Sequence, residues 1–178
     1  MRNPAICLAG LAFLLAGSAL AQTSAPLAYA ADGKMLRPEN YRSWVFLSSG
    51  FDMSYTDSGE AKTHVFNNVF VNRESYDTFQ KTGQWPDKTV LVLETRGGSN
   101  DDPVLKRGQF QAGMPNRIET HVKDAAKGGW GFYIFANGAS SAAVQPQTAT
   151  CYGCHADNAR TDTTFTQFYP ELAARLSK

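Results

Sequence analysis

The residues with the clearest chemistry are two cysteines and a histidine near the C-terminus, in the segment Cys151-Tyr-Gly-Cys154-His155. This is the C-x-x-C-H pattern at which a porphyrin is attached covalently. Two thiols on one tight turn can form thioethers with the two vinyl groups of one haem, and the next residue projects an imidazole at its iron. Gly153 gives the backbone the freedom that such a turn needs. The pattern predicts one haem c, covalently attached at Cys151 and Cys154, with His155 as the proximal iron ligand.

Three other uses of a C-x-x-C pair fit this sequence less well. A thioredoxin-like redox pair follows a strand of a βαβ unit, whereas this pair follows a polar connector rich in Gly, Ser, Ala and Pro. A structural zinc site needs four ligands, and the chain has no second cysteine pair. A disulfide that closes so short a loop stabilises a fold little. Covalent haem attachment is therefore the favoured interpretation.

The N-terminus has the features of a secretory signal peptide. One basic residue, Arg2, precedes an apolar stretch that is too short to span a bilayer. The stretch ends in Ala19-Leu20-Ala21, a small-x-small pattern that signal peptidase accepts. Cleavage there would remove residues 1–21, including Cys7. Because covalent haem attachment belongs to the oxidising side of the membrane, we expect a periplasmic protein.

The rest of the chain has the size and charge of one neutral domain. Residues 22–35 are rich in Ala, Ser, Pro and Gly and are expected to form a flexible lead-in, followed by a haem domain over residues 36–178. Without Arg2, the 17 basic side chains fall to 16 and equal the 16 acidic ones. No run of Lys or Arg suggests a nucleic-acid partner, and no later stretch is long and apolar enough to span a membrane.

Strand patterns dominate the domain. Four segments rich in β-branched and aromatic residues are predicted strands: 43–47, 63–71, 89–95 and 128–136. A further strand pair, 107–111 and 117–123, is expected around a turn at residues 113–116, and a short helix is expected over residues 73–81. The sequence therefore predicts an α+β fold, mainly antiparallel β-sheet with flanking short helices and with the haem motif near the C-terminus.

The residues leave the second axial position of the iron open. An electron carrier usually closes that position with Met or a second His. The candidates after residue 21 are Met35, Met53, Met114, His64 and His121. Each is more simply a surface or packing residue; His121, for example, shares a strand face with Glu119 and Lys123. We therefore expect a vacant or water-filled sixth position, which would bind small molecules such as NO.

These segments resemble the cytochrome P460 family, which includes the cytochromes called c′-beta. The likeness runs through Leu36-Arg-Pro-Glu-Asn-Tyr-Arg-Ser-Trp44, Asp87-Lys-Thr-Val90, Gly129-Trp-Gly-Phe132, the haem motif and Thr164-Phe-Thr-Gln-Phe-Tyr-Pro170. The resemblance implies an antiparallel β-rich fold with flanking helices, and often a homodimer. It also implies a haem with an open distal side and periplasmic chemistry on hydroxylamine or NO.

The sequence departs from the hydroxylamine-oxidising members of that family at two places. In those members a lysine bonded to the porphyrin follows the strand start D-G-T-V-x-V, whereas here Asp87-Lys-Thr-Val-Leu-Val92 is followed by Leu93, which has no amine. Those members also carry a carboxylate a few residues before the haem motif, whereas residues 142–150 contain no acid. Leu93 would instead place an apolar group near the iron. Such a group gives O₂ no hydrogen bond and so favours NO or CO.

The sequence therefore predicts a periplasmic mono-haem cytochrome that captures, carries or converts NO or a related small nitrogen ligand, and that exchanges electrons with a redox partner protein. The first alternative is an enzyme that oxidises hydroxylamine or NO. The second is an electron-transfer cytochrome with Met or His as the sixth ligand.

Overall fold

The computed structural model describes residues 27–55, 63–136 and 138–176, so the expected signal peptide over residues 1–21 lies outside the described residues. The strands are β1 (Met35–Leu36), β2 (Val45–Phe51), β3 (Val65–Val71), β4 (Val90–Ser99), β5 (Phe110–Asp124), β6 (Gly129–Ala136) and β7 (Ser141–Ala142). The helices are α1 (Arg73–Thr82), α2 (Thr150–Asn158) and α3 (Pro170–Leu176). Single 3-10 turns cover Tyr41–Ser43, Ala125–Lys127 and Thr166–Phe168.

Five of the strands form one antiparallel sheet in the order β2-β3-β4-β5-β6, so each strand pairs with the next one along the chain. The two short strands β1 and β7 pair with each other in a separate antiparallel sheet. Helix α1 connects β3 to β4, and the other two helices follow the last strand. The expected α+β class, with mainly antiparallel sheet and short helices, is confirmed.

The strand β5 corrects one expectation. It is a single strand of 15 residues rather than two strands around a turn at residues 113–116. Both halves pair with β4, where Thr95 is opposite Arg117 and Gly97 is opposite Ala112, and the register shifts between them. Gly113 takes the left-handed conformation with φ of 67°. The glycine and proline that suggested a hairpin turn therefore form an irregularity inside one strand, of the kind that bends a sheet.

Side chains of the five-stranded sheet alternate between two faces. One row across the sheet is Phe70, Val92, Thr120 and Tyr133, and the next row is Val69, Leu93, Glu119 and Ile134. The first row belongs to a core that is covered by β1 and β7, and Met35 and Ala142 are both buried there. Leu27 and Tyr29, from the segment expected to be a flexible lead-in, pack against the same core. We call this side of the sheet the N-terminal face.

The opposite side of the sheet carries the helices, and we call it the helical face. Phe79 of α1 and Trp85 are buried against each other, with ring centres 4.2 Å apart. The indole nitrogen of Trp85 donates a hydrogen bond to Thr164 Oγ1 at 2.8 Å. Leu172 of α3 is fully buried in the same cluster. These contacts hold the C-terminal segment, which follows the C-x-x-C-H motif, against the helical face that Leu93 shares.

A buried carboxylate, Glu94, ties the N-terminal face together. Its side chain is fully buried and accepts hydrogen bonds from the Tyr41 hydroxyl, from Arg42 at 2.5 Å, from Arg96 at 2.8 Å and from Asn68 at 3.1 Å. Burial alone would raise the pKa of Glu94, but these donors outweigh burial and lower that pKa below the usual value of 4.5. The folded protein therefore stabilises the ionised form.

We expect Glu94→Gln to lower the free energy of unfolding at pH 7 by about 2–3 kcal/mol, because two guanidinium groups would then face an uncharged amide. A group whose pKa is lower in the folded state stabilises the fold above its unfolded pKa, and this contribution is lost as pH falls through the folded pKa. The difference between wild type and Glu94→Gln should therefore shrink in acid. Denaturant unfolding of both proteins at several pH values measures this difference in the free energy of unfolding. A difference that does not change with pH would contradict the conclusion that the fold stabilises the ionised form of Glu94.

Candidate functional site

A cavity of about 630 Å³ lies between the helical face of the sheet and the segments that follow the last strand. Its floor comes from the middle of the sheet and includes Val69, Leu91, Leu93, Glu119, His121 and Phe132. Its opposite wall comes from α2 and the segment before α3, and includes Cys151, Cys154, His155, Phe165 and Phe168. A cavity of this size suits a cofactor-sized ligand. The structure thus brings all four site residues predicted from the sequence to one cavity.

The C-x-x-C-H motif lies in helix α2 rather than on the tight turn that was expected. Residues three and four positions apart share one face of a helix, so Cys151, Cys154 and His155 project to the same side. Both cysteines are half-buried and neither forms a disulfide. Gly153 is exposed, and a Cβ atom there would meet no atom within 4 Å beyond its own stretch of helix. The helix therefore supplies the geometry, and the backbone freedom expected of Gly153 is not used.

The ring of His155 is held in one orientation. Its Nδ1 lies 2.7 Å from the carbonyl oxygen of Thr163. A carbonyl can only accept, so Nδ1 carries the proton and donates it, which leaves the lone pair on Nε2. Burial lowers the pKa of His155, and the hydrogen bond to Thr163 only partly opposes this. The result is a neutral imidazole with Nε2 available, which is the state that a metal ligand requires.

The carbonyl that orients His155 belongs to a strained turn. Asp162 and Thr163 both have positive φ, 47° and 57°, and a β-branched residue rarely takes that conformation. The turn is anchored on both sides, because Lys123 Nζ bonds Asp162 at 2.7 Å and Thr161 pairs with Thr164. Strained backbone of this kind persists where the surroundings fix it and is concentrated at functional sites. This turn places an acceptor against the outer edge of the imidazole.

His121 is not simply the surface or packing residue that its strand pattern suggested. The face that it shares with Glu119 is the floor of the cavity rather than a solvent-exposed surface, and His121 is only 7% exposed. Its ring stacks on Phe132 with centres 4.0 Å apart, and burial, followed by the nearby His155, holds its pKa well below 6.5. Within the described part of the chain, no hydrogen-bond partner reaches its Nε2. A buried polar atom without a partner costs about 1–3 kcal/mol, so its place on a cavity wall indicates a bound group that satisfies it.

Sequence reasoning missed a carboxyl group in this cavity. Glu119 lies directly opposite Leu93 in the pairing of β4 with β5, and it lines the same floor. Burial raises the pKa of Glu119, and Arg117, whose Nε lies 2.5 Å from the carboxylate, partly opposes that rise. Residues 142–150, just before the motif, contain no acidic residue. Strand β5 instead supplies a carboxyl group from a distant part of the chain. Only the register of the two strands, which the sequence does not state, brings Glu119 beside Leu93.

Two of the five candidates for a sixth iron ligand line the cavity, namely Met53 and His121. Met35 is buried in the core of the N-terminal face, Met114 is 80% exposed, and His64 Nδ1 is bonded to an aspartate at 2.6 Å. The Met53 side chain packs against Gly50 of β2. A Cβ atom at that glycine would collide with the Met53 sulfur.

His121 does not lie opposite His155. Their ring centres are 4.9 Å apart in an edge-to-face contact. Two imidazoles on opposite sides of one metal have ring centres roughly 6 Å apart, because each metal–nitrogen bond is about 2 Å long. Met53 is therefore the one of the five candidates that the geometry leaves as a possible sixth ligand.

A family model described as Cytochrome P460 matches residues 38–166, which include the C-x-x-C-H motif, Leu93 and Glu119. A search of the curated proteins finds no match. Within the described residues, none of the helices has the length and apolar character needed to cross a membrane.

Proposed function

This chain belongs to the cytochrome P460 family, which makes it a haem cytochrome, and on that basis we propose that it holds one haem c through Cys151 and Cys154 with His155 as the proximal ligand. The observation that carries the proposal is the convergence of both thiols and a neutral imidazole, from one helix face, on one cavity of about 630 Å³. The signal-like sequence over residues 1–21 supports a periplasmic location.

The other residues of the cavity fit the same cofactor. Phe132 and Phe165 offer flat apolar surfaces, which a porphyrin requires. The buried Nε2 of His121 offers a polar contact that no described residue takes up. When bound, the haem supplies an iron with a coordination position for a small molecule and a one-electron redox couple. The protein residues hold, orient and shield this group.

We propose that the protein binds NO or a related small nitrogen ligand, in order to capture, carry or convert it. Leu93 lies in the centre of the cavity floor between Val69 and Glu119. Its side chain cannot donate a hydrogen bond, and Glu119 only accepts hydrogen bonds while it is ionised beside Arg117. O₂ depends on such a donor more than NO or CO does, so this part of the floor favours NO and CO. Electrons would be exchanged with a redox partner protein, and the family resemblance adds a homodimer as an expectation.

Glu119 favours a second candidate function, the oxidation of hydroxylamine or NO. A carboxyl group with a raised pKa inside a cavity can accept a proton from a substrate. The family resemblance aligns Leu93 with the cross-linking lysine of the hydroxylamine-oxidising members, and its side chain has no amine with which to form that bond. Turnover would therefore depend on Glu119 without a cross-link, and the electrons would pass to the redox partner.

Met53 keeps a third candidate open, a Met-ligated electron carrier, because its thioether lines the cavity. A thioether ligand raises the reduction potential of a haem. Such a carrier would leave no position for NO.

Absorption spectra of the ferric and ferrous protein, with and without NO, distinguish the three candidates. We expect a broad high-spin ferrous spectrum that changes on addition of NO and is the same in Met53→Ala. Sharp split bands that do not change when NO is added, and that broaden in Met53→Ala, would indicate the Met-ligated electron carrier instead. Hydroxylamine-dependent reduction of an added electron acceptor, abolished in Glu119→Gln, would show the enzyme.

A further inference from the structure

A second cavity, of about 330 Å³, opens near the irregular part of β5, and four arginines line it: Arg37, Arg42, Arg96 and Arg117. We propose that this arginine cavity is a binding site for a small organic carboxylate, separate from the haem cavity. A planar guanidinium presents paired N–H donors that match the two oxygens of a carboxylate. The proposal does not depend on the function of the haem.

Two of the arginines are fixed from below by the buried Glu94. Arg42 and Arg96 both bond its carboxylate, and Arg96 Nη1 also donates to the carbonyl oxygen of Gly113. These bonds engage one or two of the five N–H donors that each guanidinium carries. The remaining donors stay on groups whose planes are already set, so a ligand gains hydrogen bonds without having to order those side chains.

The other two arginines have partners other than Glu94. Arg37 donates to the carbonyl oxygen of Gly138 at 2.9 Å and to Glu39 at 3.2 Å, and the Glu39 side chain is 77% exposed. An exposed ion pair of this kind contributes little stability, so a ligand carboxylate can replace Glu39 at little cost. The Arg117 side chain is half exposed and bonds Glu119 through its Nε, which leaves the two terminal nitrogens as further donors.

Charge and lining together indicate an organic acid rather than a bare inorganic ion. Four guanidinium groups line the cavity, and three carboxylates are bonded to them, so the cluster keeps one excess positive charge. The rest of the lining is largely apolar and includes Pro115, Ile118 and Phe135. A short hydrocarbon chain or ring carrying one carboxylate would place its charge among the arginines and its apolar part against these residues.

Calorimetric titration of the haem-loaded protein with butyrate, and separately with inorganic phosphate, tests the proposal at low salt. We expect saturable binding of butyrate that is tighter than that of phosphate. Arg37→Gln and Arg117→Gln should each weaken binding severalfold, and the double variant should weaken it by about tenfold or more. Arg73→Gln is the matched control, because Arg73 is an exposed arginine on α1 that pairs with Asp77.

The absorption spectrum recorded during the same titration separates this cavity from the haem. Butyrate in the arginine cavity should leave the Soret band in place. The proposal would be overturned if the heat of butyrate binding were accompanied by a shift of the Soret band, and if both signals persisted in the two single variants. That result would locate the carboxylate at the iron. No saturable binding, equal weakening in Arg73→Gln, or tighter binding of phosphate than of butyrate would overturn it as well.

Discussion

The variant His155→Ala is expected to keep its haem through the two thioethers but to lose the nitrogen that binds the iron. His155 is the imidazole whose Nδ1 is held by the Thr163 carbonyl, which leaves Nε2 for the metal. Loss of that ligand changes the electronic state of the iron, so the ferric and ferrous absorption spectra should both change markedly. Adding free imidazole should restore much of the wild-type spectrum, because a small ligand can enter the space that the side chain leaves.

His121→Ala is the matched control for this variant. His121 lies on the cavity floor and its ring contacts the ring of His155, but the geometry gives it no place opposite His155 on one metal. We expect His121→Ala to shift the spectrum little and to lose none of its iron ligation. Unchanged spectra in His155→Ala, or a larger loss in His121→Ala, would refute the proximal assignment.

Leu93→Gln should increase the affinity of the ferrous protein for O₂ by about threefold to tenfold, with a smaller effect on NO. The amide would place a hydrogen-bond donor in the middle of the cavity floor, where the wild-type leucine has none. One such hydrogen bond contributes about 0.5–1.5 kcal/mol, and about 1.4 kcal/mol corresponds to a tenfold change in affinity. Association and dissociation rates of each ligand, measured by stopped flow, give both affinities.

Leu93→Met serves as the control for the previous variant, because it changes shape while adding no strong donor. We expect its ratio of NO to O₂ affinity to stay near that of the wild type. A stable O₂ complex of the wild-type ferrous protein would contradict the role given to Leu93, and so would an equal rise in O₂ affinity in both variants.

Much of this molecule follows from short-range sequence patterns. The run of Val and Leu from Val90 to Leu93 predicts a strand, and the C-x-x-C-H spacing predicts where a porphyrin can attach. Both signals are local, since a short apolar run indicates a buried strand and a haem motif needs only five consecutive residues. This is why the fold class could be predicted, and the two cysteines proposed as the haem attachment site, without knowing which strands pair.

The floor of the cavity could not be identified in the same way, because it depends on which strands are neighbours. Leu93 and Glu119 meet only through the register of β4 and β5, and that register shifts at the irregularity near Gly113. His121 shares a strand face with two charged residues and so suggests an exposed face, whereas a strand in the middle of a sheet can be covered on both sides. The four-arginine cavity also unites separate segments around Glu94, a buried charge that composition does not reveal.

The most direct test of the central claim is the mass of the intact protein isolated from the periplasm, measured after denaturation and acid-acetone extraction. We predict a polypeptide that begins at Gln22 and carries the additional mass of one haem, with the modified peptide containing both Cys151 and Cys154. A polypeptide at its bare mass, with the haem released into the acetone, would contradict it.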